Sequence, residues 1–107
     1  MEEKNTLWSK KENIDKKESD NVIFIGEKPL VNYIRGVMTQ FNRHGAEEVI
    51  IKSRGKFISK AVDVAEVSKR SLEKHGIIIK NITTSSESFE VQGKQTNISS
   101  MHIVLGR

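Results

Sequence analysis

Cysteine is absent from the 107 residues. Disulfides, thiolate metal sites and a cysteine nucleophile are thereby excluded together, and the chain suits a reducing compartment. Long hydrophobic runs are missing as well. The longest, Val22–Ile25 and Ile77–Ile79, fall far short of the ~20 residues that a membrane helix needs, so no membrane partner is expected. Residues 1–11 hold no apolar stretch of the signal-peptide kind, and secretion is not expected either. Metal-ligand patterns are equally scarce. His44, His75 and His102 are scattered, with no His-x-x-x-His or Glu-x-x-His spacing among them, so no metal site is anticipated. No Gly-x-x-x-x-Gly-Lys or Gly-x-Gly-x-x-Gly loop occurs, which removes the common nucleotide cradles. No cofactor is expected. Ser53, Ser59 and Ser68 lack the glycines of a nucleophile elbow. Asp63 and Glu66 sit three residues apart on one helix, but that spacing suits pairing with Lys60, Lys69 and Arg70 better than acid–base work. The sequence announces no catalytic site.

What is present is charge, unevenly placed. Residues 1–20 carry five lysines and six acidic groups, whereas residues 21–107 carry 13 Lys+Arg against eight acidic groups. The basicity therefore belongs to the globular part. Its densest point is Lys52, Arg54, Lys56 and Lys60, four cations in nine residues with no carboxylate among them. Such a cluster repels itself, and a polyanionic partner is one natural compensation.

Length and composition predict one domain. Residues 1–20 have Leu7, Trp8 and Ile14 as their only large apolar groups, too little burial to offset ordering entropy, and are read as a disordered charged tail. The domain occupies 21–107. Asn21–Ile25 is a β-branched and aromatic run ended by Gly26, expected as a buried strand. Gly26–Pro29 is a turn into a helix over about 29–43, with Pro29 at the first helical position. Leu30, Ile34, Val37, Met38 and Phe41 make its apolar face. Glu48–Ser53 is a second strand, followed by a tight loop at Arg54-Gly55-Lys56. A second helix runs from about Ile58 to Lys74. Its apolar residues cover more than one stripe, as if covered by the sheet on one side and another subunit on the other. Ile77–Thr84 and Ile98–Leu105 are strands joined by a long polar hairpin that turns at Gln92-Gly93-Lys94 and projects beyond the core. The order is β-α-β-α-β-β, a compact α/β two-layer fold with a projecting C-terminal β-hairpin.

Two stretches carry a likeness to a known family. Ile25-Gly26-Glu27-Lys28-Pro29-Leu30-Val31-Asn32-Tyr33-Ile34 resembles the first strand–turn–helix of the Alba family, archaeal chromatin proteins with eukaryotic relatives. Val49-Ile50-Ile51-Lys52-Ser53-Arg54-Gly55-Lys56-Phe57-Ile58-Ser59-Lys60-Ala61-Val62-Asp63 is similar to its central signature, and the Gln92-Gly93-Lys94 turn agrees. The resemblance implies sequence-independent binding of DNA, RNA or both through backbone phosphates. It also implies a homodimer or a heterodimer with another Alba-like protein, acting in the nucleus or cytoplasm. Carried over, the phosphate-contacting residues are Lys28, Lys52, Arg54, Lys56, Lys60 and Lys94.

The sequence departs from the family at Glu27, where archaeal members usually have the first of two adjacent lysines and their acetylation switch. Any acetylation, with a deacetylase as the further partner, then falls to Lys28 or to Lys10, Lys11, Lys16 and Lys17. Asn97 stands where relatives often have arginine, and Glu87 and Glu90 make the hairpin less cationic still. With four to six cations per subunit, a dimer would neutralise about eight to twelve phosphates, and affinity would drop by roughly 10³ or more between 50 and 200 mM salt. The competing readings are a nuclease or abasic-site lyase using the same basic surface, and an Alba-like subunit of a ribonuclease P-type assembly.

Overall fold

A computed structural model describes residues 21–107. The proposed tail, with Trp8 and the lysines at 10, 11, 16 and 17, lies outside the described residues. Six elements follow in the expected order: β1 (Val22–Phe24), α1 (Leu30–Asn42), β2 (Glu48–Arg54), α2 (Ile58–Ser71), β3 (Ile78–Val91) and β4 (Lys94–Gly106). They form one four-stranded sheet in the order β1-β2-β4-β3. β1 and β2 run parallel, and the other neighbours are antiparallel. Among the described residues no helix is long and apolar enough to cross a membrane.

Strand β2 shows how the layers arise. Its burial alternates with the period of two that a pleated strand imposes: Val49, Ile51 and Ser53 are buried, while Ile50, Lys52 and Arg54 are half-buried on the opposite face. The buried residues are matched in register by Leu105, Ile103 and Met101 of β4. Against that face pack Val37 and Phe41 of α1 and Ala61, Val64 and Ala65 of α2. Leu30, Ile34 and Met38 join the same cluster, completing the α1 face read from spacing. Among the described residues the result is two layers, with both helices on one face of the sheet.

The boundaries differ in instructive ways. Strand β1 is a half-buried edge strand instead of a buried one, since among the described residues no strand covers its far side. Pro29 caps α1 from outside, with an extended ψ of 151°, so the helix begins one residue later. Helix α2 stops at Ser71. A 3₁₀ turn over Glu73–His75 and the left-handed Gly76 (φ 78°) then redirect the chain, which brings Ile77 into the core at 2% exposure. Only one stripe of α2 is buried within the chain. Val62, on another flank, remains 40% exposed.

The hairpin is the largest difference. Sequence periodicity marks only its apolar roots, yet β3 and β4 pair from Ile78↔Gly106 to Val91↔Lys94, unbroken apart from one register shift between Ile79 and Asn81 near the root. The two-residue turn explains this. Gln92 (φ 52°) and Gly93 (φ 80°) are both left-handed, the combination whose twist matches that of the flanking strands. Beyond the Ser85↔Ser100 pair the ribbon leaves the β2 edge behind, and the long axis of the molecule reaches 51 Å against 25 and 24 Å for the others. The ribbon is also less uniformly polar than its sequence suggests. Phe89, Val91 and Ile98 are half-buried, and the register puts them on one face.

Left-handed backbone costs roughly 1–2 kcal/mol for an ordinary residue and less for asparagine. Gln92→Asn is therefore expected to stabilise the ribbon by about 0.5 kcal/mol, read as slower amide exchange from Ser86 to Ser99. Unchanged or faster exchange would contradict the turn assignment.

Candidate nucleic-acid interface

The topology decides which basic residues can act together. Because β1 and β2 are parallel, the turn after β1 (Gly26–Pro29) and the Gly55–Phe57 turn after β2 leave the sheet at the same end. Because β4 is antiparallel to β2, its early residues extend past that same end, with Arg54 level with Ser100. Two loops and a ribbon thus converge. Ligands of open α/β sheets commonly bind where parallel strands end.

At the centre of this end lies a cluster built from distant parts of the chain. The Lys60 ammonium, at the start of α2, donates to the carbonyls of Gly26 (2.6 Å) and Lys28 (2.8 Å). It also stands 5.5 Å from the Tyr33 ring centroid and 5.6 Å from that of Phe57, within cation–π range. From α1, the Tyr33 hydroxyl accepts hydrogen bonds from the backbone N–H groups of Gly26 (2.9 Å) and Lys28 (3.0 Å). Lys56 Nζ lies 3.6 Å from the Glu27 carboxylate, with both side chains strongly exposed, so this pair contributes little to stability.

The other assigned residues are placed differently. Lys52 lies on the sheet face away from the helices, its ammonium 5.6 Å from the Phe24 ring centroid. Arg54, whose side chain is only 13% exposed, approaches Glu87 of the hairpin at 3.5 Å. Lys94 is exposed beside the hairpin turn. It is six residues beyond Ser100 along the strand, roughly 20 Å at the usual rise. Lys28 and Lys56 are thus the exposed cations of the centre, and Lys94 extends the basic line outward. Each of the four clustered cations has a local partner: a ring for Lys52, a carboxylate on the hairpin for Arg54, a carboxylate on the turn for Lys56 and a pair of carbonyls for Lys60, with the Phe57 ring shared by Lys56 at 5.4 Å and Lys60 at 5.6 Å.

Two contributors were not legible as site residues. Tyr33 reads as one more amphipathic position of α1; its only signal is the nearness of a hydroxyl to a glycine-containing turn. Glu87 becomes a partner of Arg54 only once the hairpin register is known. Of the pairings anticipated around Asp63 and Glu66, Glu66–Lys69 forms at 3.2 Å, whereas Lys60 turns to the loop carbonyls instead. Asn97, in place of a relative's arginine, lies 2.5 Å from the Ser88 hydroxyl across the ribbon. No group of three His, Asp or Glu side chains suited to a metal ion occurs among the described residues.

Comparison with known proteins places this arrangement. The Alba family model matches residues 21–86, more than half of the chain. The DNA/RNA-binding protein Alba of Methanothrix thermoacetophila is 49% identical over 88 residues, covering 82% of this chain and 97% of that protein. DNA/RNA-binding protein Alba 1 of Archaeoglobus fulgidus is 44% identical over 90 residues, covering 83% and 98%. Among solved structures, Alba from Thermoplasma volcanium superposes with a TM-score of 0.72 at 42% identity, covering 81% of this chain and all of that one. An Alba protein of Trypanosoma brucei shares the fold, with a TM-score of 0.61 at 23% identity over 82% of this chain and 69% of its own. By sequence and by fold, this chain belongs to the Alba family.

Proposed function

We propose that this chain binds nucleic acid, DNA or RNA, through the sugar-phosphate backbone and without reading base sequence. The observation that carries this reading is the convergence of two basic loops and a projecting ribbon at one end of the sheet. Lysine supplies most of the outward charge there, as Lys28, Lys56 and Lys94. Ammonium groups act as point charges, which suit phosphates better than the bidentate edges of bases. The names of the relatives, DNA/RNA-binding proteins, support the same reading and a binding role in place of an enzymatic one.

The acting unit in this proposal is a dimer. Val62 (40% exposed) and Ile82 (51% exposed) support it. Both belong to the helix-bearing side, Ile82 by its register with buried Ile103, and among the described residues nothing covers them. Two copies would present Lys28, Lys56 and Lys94 twice and neutralise about six phosphates. Counterion release then gives an affinity loss of about 10³ between 50 and 200 mM salt. Acetylation of Lys28, exposed beside the loop carbonyls that Lys60 holds, would remove one of these charges per chain, and a deacetylase would restore it.

Charge reversal tests the surface directly. Lys28→Glu with Lys56→Glu is expected to abolish gel-shift complexes with both duplex DNA and transcript while leaving the circular-dichroism spectrum intact, since both side chains are exposed. Retained affinity would refute the assigned surface. For the dimer, light scattering at micromolar concentration is expected to give about twice the 12.1 kDa chain mass. A species of single-chain mass would refute it.

A further inference from the structure

Lysines in a basic cluster are ordinarily counted as contacts for the polyanion, but Lys60 is committed elsewhere. Two of its three donors are used on the carbonyls of Gly26 and Lys28, at 2.6 and 2.8 Å. Its body is half-buried, and the Tyr33 and Phe57 rings flank the ammonium. The same two loop residues are gripped from the other polar side. The Tyr33 hydroxyl accepts both of their N–H groups at 2.9 and 3.0 Å. So at Gly26 and at Lys28 the backbone donor and the backbone acceptor are each satisfied by one side chain, and it is the same pair of side chains at both residues. Four hydrogen bonds hold a short turn that no strand or helix contains.

We infer that Tyr33 and Lys60 form a clamp on the Gly26–Pro29 turn, acting as positioning residues that fix Lys28 for phosphate contact, and that Lys60 does not itself contact phosphate. The positioning role rests on the nucleic-acid reading above; the clamp does not. These bonds are part-buried at Gly26 and exposed at Lys28, so water can replace a lost partner, but each intramolecular bond still contributes to holding the turn in one conformation, and removing either side chain loosens it. Lysine suits the task because a compact ammonium fits between two converging carbonyls, where a planar guanidinium would spread its donors outward. The clamp also explains how Lys60 is tolerated four residues from Lys56: carbonyl dipoles offset its charge. Lys28, left with a fixed backbone, loses less conformational freedom on binding than a lysine on an unrestrained loop.

The test uses the full chain and a neutral substitution. Tyr33→Phe removes only the hydroxyl. Without any nucleic acid, the Gly26 and Lys28 amides are expected to exchange about tenfold faster or more, while amides of the β2–β4 ladder keep their protection. Unchanged exchange at those two amides overturns the clamp. In salt-matched titrations with a duplex, Tyr33→Phe is expected to weaken binding about fivefold, within the range for residues in contact, and to have no effect when Lys28→Ala is already present. A loss that persists in the Lys28→Ala background overturns the positioning role. Lys60→Met should likewise be silent in the Lys28→Ala, Tyr33→Phe background. A further loss there, with the salt slope reduced by about 0.9 per chain, would make Lys60 a phosphate contact and overturn its assignment. If the parent chain binds neither duplex nor transcript, the nucleic-acid reading falls, and the exchange rates still decide the clamp.

Discussion

The pairing of β2 on its two sides is the constraint from which the rest follows. Parallel to β1 on one edge and antiparallel to β4 on the other, it sends the two basic turns and the root of the hairpin to one end of the sheet. Had β4 paired in the opposite sense, the ribbon would project from the far end and Lys94 would be separated from Lys28 by the whole domain. The alternation of burial along β2 sets the second division. Val49, Ile51 and Ser53 take the helices, which leaves Lys52 and Arg54 on the opposite face. Fold and site are one consequence of this strand.

Electrostatics inside the chain then sort the cations. Four in nine residues would be costly if they went unpaired on one patch of surface, but the folded chain spreads them over the end of β2, the following turn and the start of α2 and offers each a local counter-group. Glu27 and Glu87 serve two of them. Backbone carbonyls serve Lys60 and a ring serves Lys52. In the proposed mode of binding, phosphate replaces weak surface pairs such as Lys56–Glu27, an exchange that would moderate affinity relative to a surface of unpaired lysines. In the clamp proposed above, Lys60 is spent on the loop carbonyls and shapes the turn that carries Lys28.

Much of this was legible beforehand, for local reasons. The α1 face from Leu30 to Phe41 repeats at helical spacing and packs as its spacing implies. The turn at Gln92-Gly93 is encoded by a glycine that can adopt left-handed backbone. The family likeness, carried by Ile25–Ile34 and Val49–Asp63, coincided with the two segments that flank the site. What stayed hidden depends on contacts distant in sequence. Continuous pairing of the ribbon is a property of backbone ladders, to which the polar side chains between Ser85 and Asn97 give no periodic clue. The carbonyl contacts of Lys60 span 34 and 32 residues, so a lysine whose composition suggested an outward charge is found facing inward. The half-exposed edge of β1 follows from its end position in the sheet, which strand propensity alone does not reveal.

Amide chemical-shift mapping of the full chain with a non-specific duplex tests the central claim most directly. The largest changes are expected on Gly26–Val31, Arg54–Phe57 and the hairpin around Gln92–Asn97, with residues of all three segments moving together along one titration curve. Changes concentrated instead on the outer surface of α1, or on the sheet face around Phe24 and Lys52 with the three segments silent, would contradict it.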